Sequence, residues 1–197
     1  MKVLDLFCGR GGWSKPFVEA GDLVWGYDIQ DFSGIYPGIF IQIDLKDFHQ
    51  SPIGIDFAIA STPCDEFTIA LEMWKNRGRL RNIEKGLDHV RQFKRIIQEL
   101  KPRLWALENV EYGEKWITPV IGSNPSWHFK ISRGGKRCLW SNFPIPLIDQ
   151  PRFERSIWKM SGTSEKDKRA EIPYPIAKFI HDCVKSAILE AVSGEGT

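Results

Sequence analysis

Residues 55–60 form an unbroken apolar run, with Phe57, Ala58 and Ile59 at its centre. The run is too short for a helix and lacks the polar–apolar alternation of a half-exposed strand. It reads as a strand covered on both faces, and such a strand demands helices on both sides of a sheet. Strand-like segments recur at residues 2–7, 23–27, 40–43 and 103–107. Helix-like segments separate several of them. Residues 13–20 form a short one stopped by Gly21. From residue 86 to 100, Leu87, Val90, Phe93, Ile97 and Leu100 recur at helical spacing until Pro102 stops the pattern. Residues 176–192 carry Ile176, Phe179, Ile180, Val184, Ala187 and Ile188 on one stripe, an amphipathic helix. Strands alternating with helices predict an α/β fold, a mostly parallel sheet flanked by helices and joined by right-handed crossovers.

Composition narrows the function. A chain of 197 residues with 42% hydrophobic content supports one ordinary core. The net charge of +2, from 27 basic and 25 acidic residues, gives no whole-protein field that announces a polyanion. Cys8, Cys64, Cys138 and Cys183 are scattered with no CxxC pair, so neither a zinc site nor a disulfide framework is indicated and no metal is expected. A reduced, cytoplasmic protein is the expectation. The first residues reach Asp5 and then glycines after one short apolar run, unlike a signal peptide. No stretch approaches the roughly 20 apolar residues of a membrane span.

Open α/β sheets bind ligands beyond the carboxyl ends of their strands. The first strand runs into Asp5-Leu6-Phe7-Cys8-Gly9-Arg10-Gly11-Gly12, where Gly9 and Gly11 let backbone approach a ligand closely. The second ends in Asp28, nineteen residues after Gly9, the usual distance for a carboxylate accepting ribose hydroxyls. Asp44 follows the third and suits either an adenine amino group or the N-cap of a following turn. Together these features describe a nucleoside site without a phosphate cradle, since no GKS/T sequence accompanies them.

Residues 55–60 lead into Ser61-Thr62-Pro63-Cys64-Asp65, which puts a cysteine on the ligand side of the sheet. The next strand leads into Glu108-Asn109-Val110. Taken separately, Cys64 reads as a small buried hydrophobe and Glu108 as a loop cap. Taken together they suit one chemistry. Carbon C5 of a pyrimidine is a poor nucleophile until a thiolate adds at C6 while an acid serves ring N3.

At these residues the chain resembles a known family. Asp5–Gly12, Pro63-Cys64 and Glu108-Asn109-Val110 are similar, in order and spacing, to the first, fourth and sixth motifs of the DNA cytosine-5 methyltransferases. Gly135-Lys136-Arg137-Cys138-Leu139-Trp140 resembles that family's arginine-bearing strand, the sequence WSNFPIP is similar to its phage-encoded members, and residues 170–177 resemble its final motif. The resemblance implies a Rossmann-like methyltransferase fold and S-adenosyl-L-methionine as methyl donor, with S-adenosyl-L-homocysteine as product. It implies that Phe7, Gly9, Gly11 and Pro63 lie against that cofactor, with Asp28 on the ribose and Asp44 on the adenine. Cys64 would be the nucleophile, Glu108 the acid at N3 and Arg137 the group that orients cytosine. The product would be 5-methylcytosine in DNA, with the target base flipped from the stack.

Several positions depart from the family pattern. Asp65 replaces the usual Gln after Pro-Cys and places an anion beside a thiol that must ionise, an effect expected to raise its pKa unless Arg137 offsets it. Leu139 stands where a second Arg is usual, and Arg169-Ala170 replaces Gly-Asn. Residues 1–147 and 170–197 make up the expected catalytic domain. Only residues 148–169 stand where the family carries a target-recognition domain.

Residues 75–85 hold five basic side chains against one acidic. This run, with Arg77, Arg79 and Arg81, reads as a phosphate-contacting surface in the place of the family's catalytic loop, or as a solvated face. Arg155 and Trp158 in the short insert are the candidates for base contacts. DNA is therefore the expected partner, read with short or degenerate specificity. The alternatives are a catalytic subunit served by a separate specificity subunit, an RNA cytosine-5 methyltransferase, and an inactive cofactor-binding relative. The expected setting is the cytoplasm of a prokaryotic or virus-infected cell.

Overall fold

The elements follow one another as β1 (Lys2–Leu6), α1 (Lys15–Glu19), β2 (Leu23–Asp28), β3 (Ile39–Gln42), β4 (Phe57–Ser61), α2 (Ile83–Leu100), β5 (Leu104–Val110), α3 (Glu114–Ile121), β6 (Trp127–Ser132), β7 (Gly135–Ser141) and α4 (Tyr174–Gly194). The computed structural model describes residues 1–49, 52–68, 80–132, 135–146 and 172–194. Among the described residues, seven strands form one sheet in the order β3-β2-β1-β4-β5-β7-β6. Strands β1 to β5 run parallel, whereas β7 is antiparallel to β5, and β6 to β7. The strand order reverses between β1 and β4, where a Rossmann-like sheet opens a crevice.

Alternate residues of the central strands face two apolar layers. Val3, Phe57, Ile59 and Ala106 join Phe17 of α1 and Ile176, Ile180 and Val184 of α4 on one side. Leu4, Leu6, Ala58, Ala60 and Leu107 join Val90, Phe93 and Ile96 of α2 and Ile117 of α3 on the other. Each of the larger of these side chains stabilises the fold by roughly 1.5–3 kcal/mol on full burial. The predicted double coverage of residues 55–60 is thereby met. Trp13, Trp127 and Trp140 are also buried, so part of the aromatic content serves the core.

Helix α2 begins at Ile83, three residues earlier than the apolar spacing predicts. The Asn82 side chain accepts from the Lys85 N–H at 3.1 Å and caps the first turn. It ends at Lys101, which takes a left-handed φ of 49° and donates its N–H to the Ile97 carbonyl at 3.0 Å. Pro102 cannot continue the ladder. Helix α1 is shorter than predicted, and Pro16 sits in its first turn. Strand β6 carried no sequence expectation; its partner β7 coincides with the arginine-bearing segment. No helix among the described residues is long and apolar enough to cross a membrane.

Candidate active site

The turn after β1 is built for a close approach. Phe7 takes a left-handed φ of 53° and Gly9 one of 49°, and Cys8 donates its N–H to the Tyr27 carbonyl at 3.1 Å. The loop therefore folds back onto the end of β2. There Asp28 accepts from the Gly9 N–H at 2.9 Å and from the Gln30 N–H at 3.0 Å. Phe7, Gly9, Asp28, Asp44, Ser61 and Pro63 line one cleft of about 400 Å³ at the carboxyl edge of the sheet, a size that suits a nucleoside. Asp44 also caps the turn Leu45–Asp47, accepting from the Lys46 N–H at 3.0 Å, so the N-cap role is met by a side chain that also lines the cleft.

Gly11 is placed differently from the sequence expectation. Gly11 is not among the residues that line the cleft. A Cβ there would stand 2.4 Å from Pro37 Cδ and 2.9 Å from the Tyr36 ring, at a φ of +77°. Glycine at 11 is thus demanded by the packing of Tyr36. Asp5 lies inside β1 and is buried. It accepts from the Ser14 hydroxyl at 2.6 Å, and that hydroxyl is also 2.6 Å from Tyr36 Oη. Burial pushes the Asp5 carboxyl up to about 8, helped by the Asp28 charge, so Asp5 is a buried acid under the glycine loop and not a cleft ligand.

His89 of α2 was missed by the sequence reading. It lines the cleft and meets the Phe7 ring edge-on, with centroids 5.5 Å apart. Burial and the Lys46 ammonium hold it below the ordinary histidine value, so it is neutral at pH 7. A histidine beside the apolar stripe of an amphipathic helix was the available signal.

Glu108 and Arg137 lie on β5 and β7, and Cys64 lies in the turn that follows β4. Ser61 and Glu108 are paired in register across β4 and β5, which puts the Pro63-Cys64 turn beside Glu108. Because β7 runs antiparallel to β5, its beginning lies at the carboxyl end of β5, and Arg137 pairs with Val110. The Arg137 Nε stands 3.3 Å from Glu108 Oε1, with both side chains largely buried, and the guanidinium also hydrogen-bonds the Cys64 thiol. Asn109, fully buried, donates to the Thr62 carbonyl at 3.0 Å and to Thr62 Oγ1 at 2.8 Å and so ties the cysteine turn to β5. Ser61 accepts from the Trp13 indole N–H at 2.8 Å and hydrogen-bonds Glu108 through its hydroxyl.

The electrostatics follow from burial. Desolvation pushes Glu108 above the usual carboxylate value against the pull of Arg137 and Ser61, which favours a carboxyl able to donate. Desolvation also raises the Cys64 thiol. Arg137 lowers it, and Glu108 and then Asp65 raise it. The effect expected from Asp65 is thus present but is the smallest of these causes.

Arg81 donates to the Thr68 carbonyl at 3.0 Å and lies 5.0 Å from the Tyr112 ring centroid and 5.4 Å from that of Trp116. Its guanidinium braces the chain on either side of residues 69–79 against α3. Arg77, Arg79, Arg155 and Trp158, with the insert at 148–169, lie outside the described residues.

Solved structures share the fold. A DNA modification methyltransferase encoded within an E. coli prophage superposes with a TM-score of 0.53 at 20% identity, over 72% of this chain and 46% of that one. A methyltransferase complexed with S-adenosyl-L-homocysteine superposes with a TM-score of 0.50 at 13% identity, over 75% and 49%. The chain therefore spans about half the length of these structures. No curated protein sequence matches it. The profile of the family described as C-5 cytosine-specific DNA methylase matches residues 1–112, more than half of the chain. With that match beside the Cys64, Glu108 and Arg137 cluster, the chain belongs to the C-5 cytosine-specific DNA methylase family.

Proposed function

We propose that this protein transfers a methyl group from S-adenosyl-L-methionine to C5 of cytosine in DNA. The observation that carries the reading is the convergence of Cys64, Glu108 and Arg137 at the sheet edge that also forms the nucleoside-sized cleft. The cleft fits the adenosyl group in chemistry as well as volume. Asp28 and Asp44 offer carboxylate acceptors for ribose hydroxyls and the adenine amino group, and Phe7 and His89 offer aromatic faces. When bound there, the cofactor supplies an electrophilic methyl on a sulfonium.

The residues divide the remaining work. The Cys64 thiolate adds to C6 of a cytosine flipped from the duplex. Glu108, whose carboxyl burial raises above the usual carboxylate value, donates at N3 and accommodates the electron density that reaches the ring. C5 becomes nucleophilic and takes the methyl group. A base then removes the C5 proton, the bond to Cys64 breaks, and 5-methylcytosine and S-adenosyl-L-homocysteine leave. Arg137 supports the thiolate and fixes the orientation of Glu108.

Between the arginine-bearing strand and the final motif stand residues 148–169, a short stretch that favours short or degenerate specificity carried largely by phosphate contacts. A separate specificity subunit is the second reading, favoured because base-edge contacts need surface and the stretch between the arginine-bearing strand and the final motif is only residues 148–169. The setting is a reducing compartment such as the cytoplasm, where Cys64 stays a thiol.

The test is methyl transfer from labelled cofactor to duplex DNA, single-stranded DNA and tRNA, followed by bisulfite sequencing of the products. Duplex DNA should be modified at cytosines in contexts of two to four base pairs, roughly the discrimination a few base-edge contacts allow. Modification confined to tRNA would overturn the DNA assignment. Activity at one long site without a partner would overturn the view of specificity.

A further inference from the structure

On the α3 side of the sheet, behind Arg137, three side chains of different chemistry meet. His128 of β6 and Cys138 of β7 are directly opposed in the antiparallel register, which brings their side chains together on one face. Glu114, the first residue of α3, closes the group from above. Its Oε2 stands 3.0 Å from His128 Nε2 and 3.6 Å from Cys138 Sγ, and the three donor atoms lie within 4.8 Å of one another. One carboxylate oxygen thus serves two neighbours from two strands. The spacing matches donors arranged round a small cation, since tetrahedral zinc takes sulfur at about 2.3 Å and nitrogen or oxygen at about 2.0–2.2 Å.

We propose that Glu114, His128 and Cys138 bind a zinc ion. The donor set is one thiolate, one imidazole and one carboxylate. Soft and borderline ligands together select zinc over magnesium or calcium, which take oxygen. The thiolate and the carboxylate neutralise the charge of the ion, and His128 is exposed enough for water to complete a fourth position. On binding, the Cys138 thiol proton passes to solvent and a Zn–S bond replaces the S–H bond. The ion joins α3 to the β6–β7 pair and so braces the strand that presents Arg137. Cys138 and Arg137 are adjacent in the chain but face opposite sides of β7, for Leu139 packs in the layer of α1 and α4 while Cys138 and Trp140 pack in that of α2 and α3. The site is therefore separate from the Cys64 centre. Cysteine spacing along the chain conceals it, because each ligand comes from a different element.

The experiment uses purified full-length chain stripped of metal and titrated with Co²⁺ and, separately, Zn²⁺. One equivalent of Co²⁺ should give the near-ultraviolet thiolate-to-cobalt band in the wild type and in Cys64→Ser, and none in Cys138→Ser. His128→Gln and Glu114→Gln, at less buried positions, should each weaken Zn²⁺ binding at least tenfold while the fold is retained. At a hundredfold excess of Zn²⁺ over its dissociation constant, the wild-type thermal midpoint should rise by about 5 °C or more. Absence of the cobalt band from the folded wild type overturns the proposal. So does a band that survives Cys138→Ser but is lost in Cys64→Ser, which would place the metal on the reactive cysteine. None of these readouts depends on methyl transfer, so the functional assignment stands or falls separately.

Discussion

The Nε of Arg137 stands 3.3 Å from Oε1 of Glu108, on neighbouring strands that run in opposite directions, and the same guanidinium hydrogen-bonds the Cys64 thiol. A buried cation between a thiol and a carboxyl favours the ionised form of both, whereas burial favours the neutral form. Burial prevails at both groups. Glu108 is thereby suited to give a proton. Cys64 depends on Arg137 for what thiolate it has.

Arg137→Gln should therefore shift the pH profile of Cys64 alkylation to higher pH. Iodoacetamide labelling located by mass spectrometry reads this directly. In the wild type, labelling should already rise later with pH than for an ordinary cysteine. Asp65→Asn should move the profile only slightly downward, because Asp65 contributes least among the causes. A larger shift from Asp65→Asn than from Arg137→Gln would reverse the order of the two effects.

Glu108→Gln should lower the rate at saturating cofactor by about 100-fold or more, the loss expected for a positioned general acid. Asp28→Ala should instead weaken cofactor binding and loosen the glycine loop, since it removes the acceptor for the Gly9 N–H. Steady-state kinetics with separate cofactor titrations distinguishes the two. The opposite pattern would mean that the two carboxylates have exchanged roles.

Asp5 should make stability depend on pH. Its carboxyl is raised from 3.8 to about 8 by burial, so between those values the folded chain holds a proton that the unfolded chain releases. The stability it contributes is fully present below about pH 4 and is lost as pH rises through 8. Across that window the loss approaches about 1.4 kcal/mol per pH unit from this one group. Urea midpoints measured from pH 5 to 9 should fall in the wild type and fall less steeply in Asp5→Asn. Parallel curves for the two proteins would remove Asp5 as the cause.

Gly11→Ala should destabilise the fold by about 1–3 kcal/mol through overpacking against Pro37 and Tyr36. Urea unfolding should register the loss. A fall in cofactor affinity at unchanged stability would instead place Gly11 against the ligand, as its motif alone suggests.

The layers of this protein are legible in its residue pattern, because what sets them is local. Unbroken apolar runs such as residues 55–60 need cover on both faces, and the spacing of Leu87, Val90 and Phe93 makes a helix that provides it. The same pattern marked Asp28, Asp44, Cys64 and Glu108 as residues at strand ends, since strand ends can be read wherever an apolar run meets a polar residue. The family resemblance added Arg137. Which of these side chains meet depends on how the folded sheet is assembled. Strand order is a non-local property, and the antiparallel course of β7 is what returns Arg137 to the edge occupied by Glu108. Tertiary packing likewise decided that Gly11 yields to Tyr36 and that His89 turns toward Phe7. Partners brought together from distant parts of the chain leave no spacing to read, so chemistry of this kind appears only once the sheet has assembled.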